Sequence, residues 1–167
     1  MTRFEASLAF ILKVEGGLTP DKKTNHGIEQ ATYDAFRRKN HVEPRPVELI
    51  TASEVSSIYL TEYWTSCACS SLPAGLDLAV FDAAVQHGPE MAAKLLQRLL
   101  KVKEDGAIGP VTLAAVKARP APILGAELLK ARATRIYIHI EDTKWDKNGR
   151  GWLVRLSDLN LECLRQM

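Results

Sequence analysis

The chain is poor in the features that mark a membrane protein, a metal protein or a disulfide scaffold. None of its apolar runs approaches the ~18 residues that a membrane-spanning helix needs, which excludes stable membrane insertion. The longest early run, LAFILKV, is interrupted by Lys13 and lacks a small-residue cleavage site. No signal peptide is therefore expected, and the chain is expected to be made in the cytoplasm. Cysteine is scarce, with only Cys67, Cys69 and Cys163, and the odd count argues against a disulfide framework. The CAC stretch has no second Cys/His pair at zinc-finger spacing, and His26, His41, His87 and His139 are scattered. Neither a metal nor a cofactor is expected. Strand signals are weak as well: no alternating stretch supports a real sheet, although the loop 16–28 has room for a short hairpin. Repeats and low-complexity linkers are absent. The Pro-rich HVEPRPVE stretch (41–48) is too short to divide domains, and 167 residues suit one domain.

What is present reads as helix nearly throughout, so the expected class is mainly α. Segment 3–14 sets Phe4, Leu8 and Ile11 on one face, with Thr2 and Glu5 at capping-box spacing. Segment 52–64 repeats the device with Thr51 and Glu54. Segment 74–87, AGLDLAVFDAAVQH, is apolar almost all round, which predicts a central helix wrapped by others. HGPE then ends one helix at Gly88 and starts the next with Pro89 at its first position, and Pro110 repeats that start. Long helices are predicted over 123–140 and 152–164. In the second, Trp152, Leu156, Leu159 and Cys163 fall at helical spacing, which makes Cys163 a core thiol.

Charge is unevenly distributed. Residues 1–83 hold 8 basic and 11 acidic side chains, a net of −3, whereas residues 84–167 hold 14 and 9, a net of +5. A basic half suits a polyanionic partner, unless it is simply a solvated helical surface. Lys130, Arg132, Arg135, Lys144, Lys147 and Arg150 are the candidates for one exposed patch facing anionic wall polymers or lipopolysaccharide. No nucleic-acid motif accompanies these residues, so nucleic acid is not an expected partner.

Glu15 is the residue most suggestive of chemistry. It lies four residues after Ile11 and seven after Leu8, so it continues the buried stripe of the first helix. Partial burial and the negative end of the helix dipole both favour a protonated carboxyl. Gly16 and Gly17 turn the chain sharply beside it. A general acid working at neutral pH needs these surroundings, although a surface glutamate before a glycine cap would read the same way. Glycoside hydrolysis usually uses a second carboxylate, and Asp21 and Glu29 are the only acids in the next loop. Thr24, Asn25 and His26 are short polar groups suited to holding a water or a sugar hydroxyl.

The succession LKVEGG, TNHGI, IYLTEYW, LPAGLDLAVFDAAVQHG, AAKLLQRLL, DGAIGPVTLAAV and GRGWLVRLSDL resembles the glycoside hydrolase family 108 lysozymes. These are N-acetylmuramidases often found as phage endolysins, with an associated predicted peptidoglycan-binding region. The resemblance covers nearly the whole chain. It implies a lysozyme-like helical fold, Glu15 as catalytic acid, Thr24 in the site, and peptidoglycan as partner. On this reading 1–87 is the catalytic core with its cleft loop, and 88–167 is a helical part with a peptidoglycan-binding role. The chain departs from the family where LTPDKK replaces a longer acidic, glycine-rich loop. Asp21, flanked by Lys22 and Lys23, is the nearest counterpart of the usual loop aspartate.

Further along, Gln86 and His87 end the central helix and are candidates to face the cleft. Tyr63 and Trp64 are candidates for stacking on sugar, although aromatics at helical spacing more often fill a core. Trp145 sits in a polar stretch where exposure is expected. Asp82, inside AVFDAAV, is expected to serve structure, because a buried aspartate must be hydrogen-bonded. The expectation is a monomeric muramidase that cleaves the β-1,4 bond between N-acetylmuramic acid and N-acetylglucosamine in the periplasm or cell wall. Its rivals are a lytic transglycosylase and a non-catalytic wall-binding module.

Overall fold

The computed structural model describes residues 1–139 and 149–167, apart from the side chains of residues 136–139 and Arg150. Lys144, Trp145, Lys147 and the Arg150 side chain therefore lie outside the described residues. The class is mainly α: eight α-helices and one two-stranded hairpin among the described residues. They form two compact units, Met1–Glu62 and Tyr63–Met167. No described helix is long and apolar enough to cross a membrane.

In the first unit, α1 (Arg3–Glu15) starts at the expected capping box, with the Thr2 hydroxyl accepting from the Glu5 amide and the Glu5 carboxylate accepting from the Thr2 amide. Leu8 and Ile11 are buried and Phe4 is half-buried, as the stripe predicts. The hairpin pairs β1 (Thr24–Asn25) with β2 (Ile28–Glu29), Thr24 opposite Glu29 and Asn25 opposite Ile28. Helix α2 (Gln30–Lys39) follows directly. The Pro-rich stretch after it closes over the hairpin: the Gln30 carboxamide accepts from the Val47 amide at 2.6 Å, and the Asn25 carboxamide donates to the Val47 carbonyl at 3.3 Å.

Helix α3 (Ala52–Ile58) opens at the second capping box, whose Glu54 does more than cap. Its carboxylate also accepts from Arg37 Nη1 (2.6 Å), Arg45 Nη2 (2.6 Å) and the Tyr33 hydroxyl (2.9 Å). The expected continuous helix over 52–64 does not form. From Tyr59 to Thr65 the backbone widens into a π-helix. An α-helix would set residues five apart about 140° from each other, whereas the wider turn brings them nearer one face. Tyr59 and Trp64 are accordingly both buried.

The second unit is built round α4 (Leu76–His87), in which every residue from Leu76 to Ala84 is buried. Around it pack α5 (Pro89–Leu100), α7 (Ala121–His139) and α8 (Arg150–Arg165), with α6 (Pro110–Lys117) on α5. Pro89 and Pro110 stand at the first turns of their helices, as expected. The three cysteines are buried thiols that form no disulfide, Cys163 within the core.

Asp82 is fully buried on α4 and serves structure. Arg132 of α7 reaches it at 2.5 Å, and Arg155 of α8 reaches it through Nη2 at 2.7 Å and Nε at 3.1 Å. Arg132 is itself completely buried, which removes it from the exposed patch expected from sequence. Two cations share one carboxylate here, and Arg132 Nε and Nη1 have no hydrogen-bond partner among the described residues.

Two outcomes follow from these ion clusters. Asp82→Asn removes the charge of the carboxylate that two buried guanidiniums share, and it should cost about 3–5 kcal/mol in urea unfolding. A loss below about 1 kcal/mol would show that the cluster does not hold the helices. For Glu54, burial alone would raise the carboxyl. The hydrogen bonds from the Thr51 amide and hydroxyl, Tyr33 and Arg45 outweigh it and bring the pKa down to about 2. The folded value lies below the unfolded one, so the stabilisation is full above about pH 4.5 and is lost as pH falls toward 2. Thermal melts of Glu54→Gln should start from a lower midpoint and show a shallower acid limb than wild type. Parallel acid limbs would remove Glu54 as their source.

Candidate active site

Glu15 is the last residue of α1 and is half-buried. Gly16 follows with φ +75°, a conformation that favours glycine and turns the chain away after the acid. The hairpin turn at His26-Gly27 has both residues at positive φ, +51° and +75°, as a type I′ turn requires. This turn packs directly against Glu15. A Cβ built on Gly27 would lie 3.1 Å from Glu15 Cγ, 3.2 Å from Glu15 Cβ and 2.8 Å from the Tyr59 hydroxyl oxygen. The bare glycine is therefore what lets the acid side chain lie on the turn. The Tyr59 hydroxyl donates to the His26 carbonyl at 2.8 Å from a ring that is 1% exposed, fixing the turn from below.

The loop before the hairpin is organised by Thr19. Its hydroxyl donates to Asp21 Oδ1 at 2.7 Å and accepts from the Thr24 amide at 3.2 Å, while its own amide donates to the Thr24 carbonyl at 2.9 Å. Asp21 is exposed, and the same Oδ1 accepts from the Lys23 amide at 3.2 Å. The Thr19 hydroxyl and then the Lys23 amide hold the Asp21 carboxyl below the usual carboxylate range. Oδ2 carries neither of those bonds. Lys22 turns away to pair with Glu48 at 3.2 Å.

Six of the residues singled out in sequence thus lie on the first unit, and their surroundings differ. Glu15, Thr24 and His26 are half-buried, and Asp21 is exposed. Glu29 is exposed at the N-cap of α2 and makes no side-chain cap there. Asn25 is buried with its carboxamide spent on Val47, so it ties the hairpin rather than presenting an amide to sugar. Gly27 and Thr19 carry the geometry without having been singled out, and Tyr59, which sequence groups with Tyr63 and Trp64 as an aromatic cluster, does so through its hydroxyl. The Thr-x-Asp spacing before a strand was the available signal for Thr19.

The other four lie on the second unit. Trp64 is 2% exposed, donates from Nε1 to the Ser70 hydroxyl at 2.8 Å and meets Phe81 edge-on at 5.3 Å, so its ring packs in the core. Tyr63 is half-buried. Gln86 Oε1 accepts from Arg132 Nη2 at 2.6 Å. His87 is half-buried; desolvation first, then the charges of Arg132 and Arg135, pull its pKa down to about 4. The imidazole is therefore neutral at neutral pH.

Sequence and structure comparisons give this arrangement its context. The model of the family described as "Glycosyl hydrolase 108" matches residues 8–88, and that of "Predicted Peptidoglycan domain" matches residues 91–157. Among curated proteins none matches the chain. The solved structure of Brucella abortus SagA superposes with a TM-score of 0.83 at 33% identity, covering 98% of this chain and 94% of that one. With a glutamate seated at the first helix end, a polar hairpin loop against it and these matches along its length, the chain belongs to the glycosyl hydrolase 108 family: it is a glycoside hydrolase with peptidoglycan as its partner.

Proposed function

We propose that the enzyme hydrolyses the β-1,4 bond between N-acetylmuramic acid and N-acetylglucosamine, with Glu15 as the general acid. The observation that carries this reading is the seat of Glu15, half-buried at the end of α1 with its Cβ and Cγ against the bare turn at Gly27. Glu15 protonates the leaving oxygen. Asp21, kept ionised by Thr19 and Lys23 and with Oδ2 outside those bonds, activates water, and Thr24 helps to position it. The biological setting that suits this chemistry is lysis of a bacterial wall by a phage-type enzyme that reaches the wall through a separate pore.

A second reading has one observation in its favour. Asp21 Oδ1 is fully engaged within its own loop, and a lytic transglycosylase needs only the single acid. Mass spectrometry of digested walls separates the two. Hydrolysis leaves reducing muramic ends, and transglycosylation leaves anhydro ends.

Glu15→Gln keeps the shape and removes the proton donor, so wall lysis should fall roughly 100- to 10,000-fold with the melting midpoint nearly unchanged. More than a tenth of wild-type activity would exclude Glu15 as the acid. Gly27→Ala should cost about 100-fold in kcat, because the new methyl pushes on Glu15 and Tyr59. Gly16→Ala is the control, since it has the same φ of +75° but open space around its Cβ. Equal losses in both variants would reduce the Gly27 effect to backbone strain. Asp21→Asn should be more damaging than Glu29→Gln. Near-full activity in both, and in the double variant, would leave no loop base.

A further inference from the structure

Helices α5 and α7 of the second unit leave an open groove of ≈ 500 Å³ between them. Leu95 and Leu99 line it from α5, and Ala131 lines it from α7, which gives it a mainly apolar wall. A smaller apolar depression of ≈ 380 Å³ at Pro122, Ile123 and Ala126 shares Glu127 and Lys130 with it and extends the same strip along α7.

The charges along this groove do not cancel. Arg98 is answered by Glu104, with both carboxylate oxygens engaged at 3.0 and 2.6 Å. Glu127 is answered by Arg119 at 2.9 Å. Lys130 and Arg135 also line the groove, and neither has an acidic partner among the described residues. Lys130 is exposed and Arg135 half-buried, so both are within reach of a ligand. Two cations without an acidic partner among the described residues, beside a row of aliphatic side chains, form a surface for a ligand with carboxylates and small apolar groups. Among the described residues the lining is aliphatic and charged rather than aromatic.

We propose that this groove binds the stem peptide of peptidoglycan, with Lys130 and Arg135 meeting its free carboxylates and Leu95, Leu99 and Ala131 meeting its alanine methyls. The proposal rests on peptidoglycan being the partner, but not on which glycan bond is cut. The groove lies within the stretch that matches the peptidoglycan domain, residues 91–157. A peptide seated there would hold the enzyme to a cross-linked wall independently of the sugar contacts at Glu15. A bare glycan strand keeps one short lactyl carboxylate on each muramic acid but has no peptide to lie along the groove, and would be held more weakly.

Binding to purified walls is compared with binding to the same glycan stripped of its peptides by an amidase, at about 0.1 M salt, where the Debye length is about 10 Å. Wild type should prefer the peptide-bearing walls, and soluble stem peptide should compete. Lys130→Gln/Arg135→Gln should lose roughly three- to tenfold in binding to peptide-bearing walls, the range that two exposed ion pairs supply. Lys130→Glu, at an exposed position where folding is not at stake, should lower that binding on its own. Equal wild-type binding to stripped and intact walls would overturn the proposal, as would a double variant that keeps the full preference. Competition by lipopolysaccharide vesicles but not by stem peptide would assign the groove to a lipid instead. Reducing ends released from the peptide-bearing walls are measured in the same samples. Their absence with wild type would sink the hydrolysis reading and leave the binding comparison intact.

Discussion

The second unit depends on one buried carboxylate. Asp82 sits in the most apolar helix of the chain, and an unpaired charge there would be strongly unfavourable. Arg132 and Arg155 come to it from two other helices, so α4, α7 and α8 meet at one point of fixed geometry. The arginines are also felt by His87 at the end of α4, where desolvation and then the charges of Arg132, Arg135 and Arg155 oppose protonation while Asp82 favours it. Packing thereby sets chemistry: the ion cluster that fastens the helices also contributes to a neutral imidazole at the helix end.

The first unit uses the same device in a different setting. Glu54 also gathers two arginines, but near the surface, and it takes bonds from Tyr33 and from its own helix cap as well. Nothing is left unanswered, and the carboxylate stays ionised down to about 2. This cluster fastens α2, the Pro-rich stretch and α3, and through Val47 it steadies the hairpin whose turn supports Glu15. The acid thus lies against a backbone turn that a buried phenol fixes. A turn built of a left-handed histidine and a glycine changes little in shape, and that suits a group whose function depends on position.

Much of this was legible in the sequence because the signals were local. Both capping boxes, the glycine and proline punctuation, the all-apolar central helix and the end-of-stripe position of Glu15 depend on residues a few places apart. What was not legible depends on distant partners. No local pattern in IYLTEYW announces that the helix will widen at Tyr59, because the widening serves a hydroxyl that reaches His26, 33 residues away. Asn25 read as a site residue because a short amide in a polar loop usually faces water, and only the fold supplies the Val47 carbonyl that takes it inside. Trp64 is the converse case: its indole nitrogen finds Ser70, and with that partner the ring can be buried whole.

The basic half shows the same limit in electrostatic form. A count of +5 over residues 84–167 is a property of the chain, and it becomes a property of the surface only when burial is known. Arg132 is spent on Asp82 and contributes no exposed charge. Arg98 and Arg119 are answered by Glu104 and Glu127, so their fields largely cancel within a few ångströms. What survives on the described part of α7 is the charge of Lys130 and Arg135 along the apolar groove. A diffuse positive half would draw the enzyme to any polyanion alike. Two cations beside an aliphatic strip discriminate, because they favour a partner that offers carboxylates and methyl groups together.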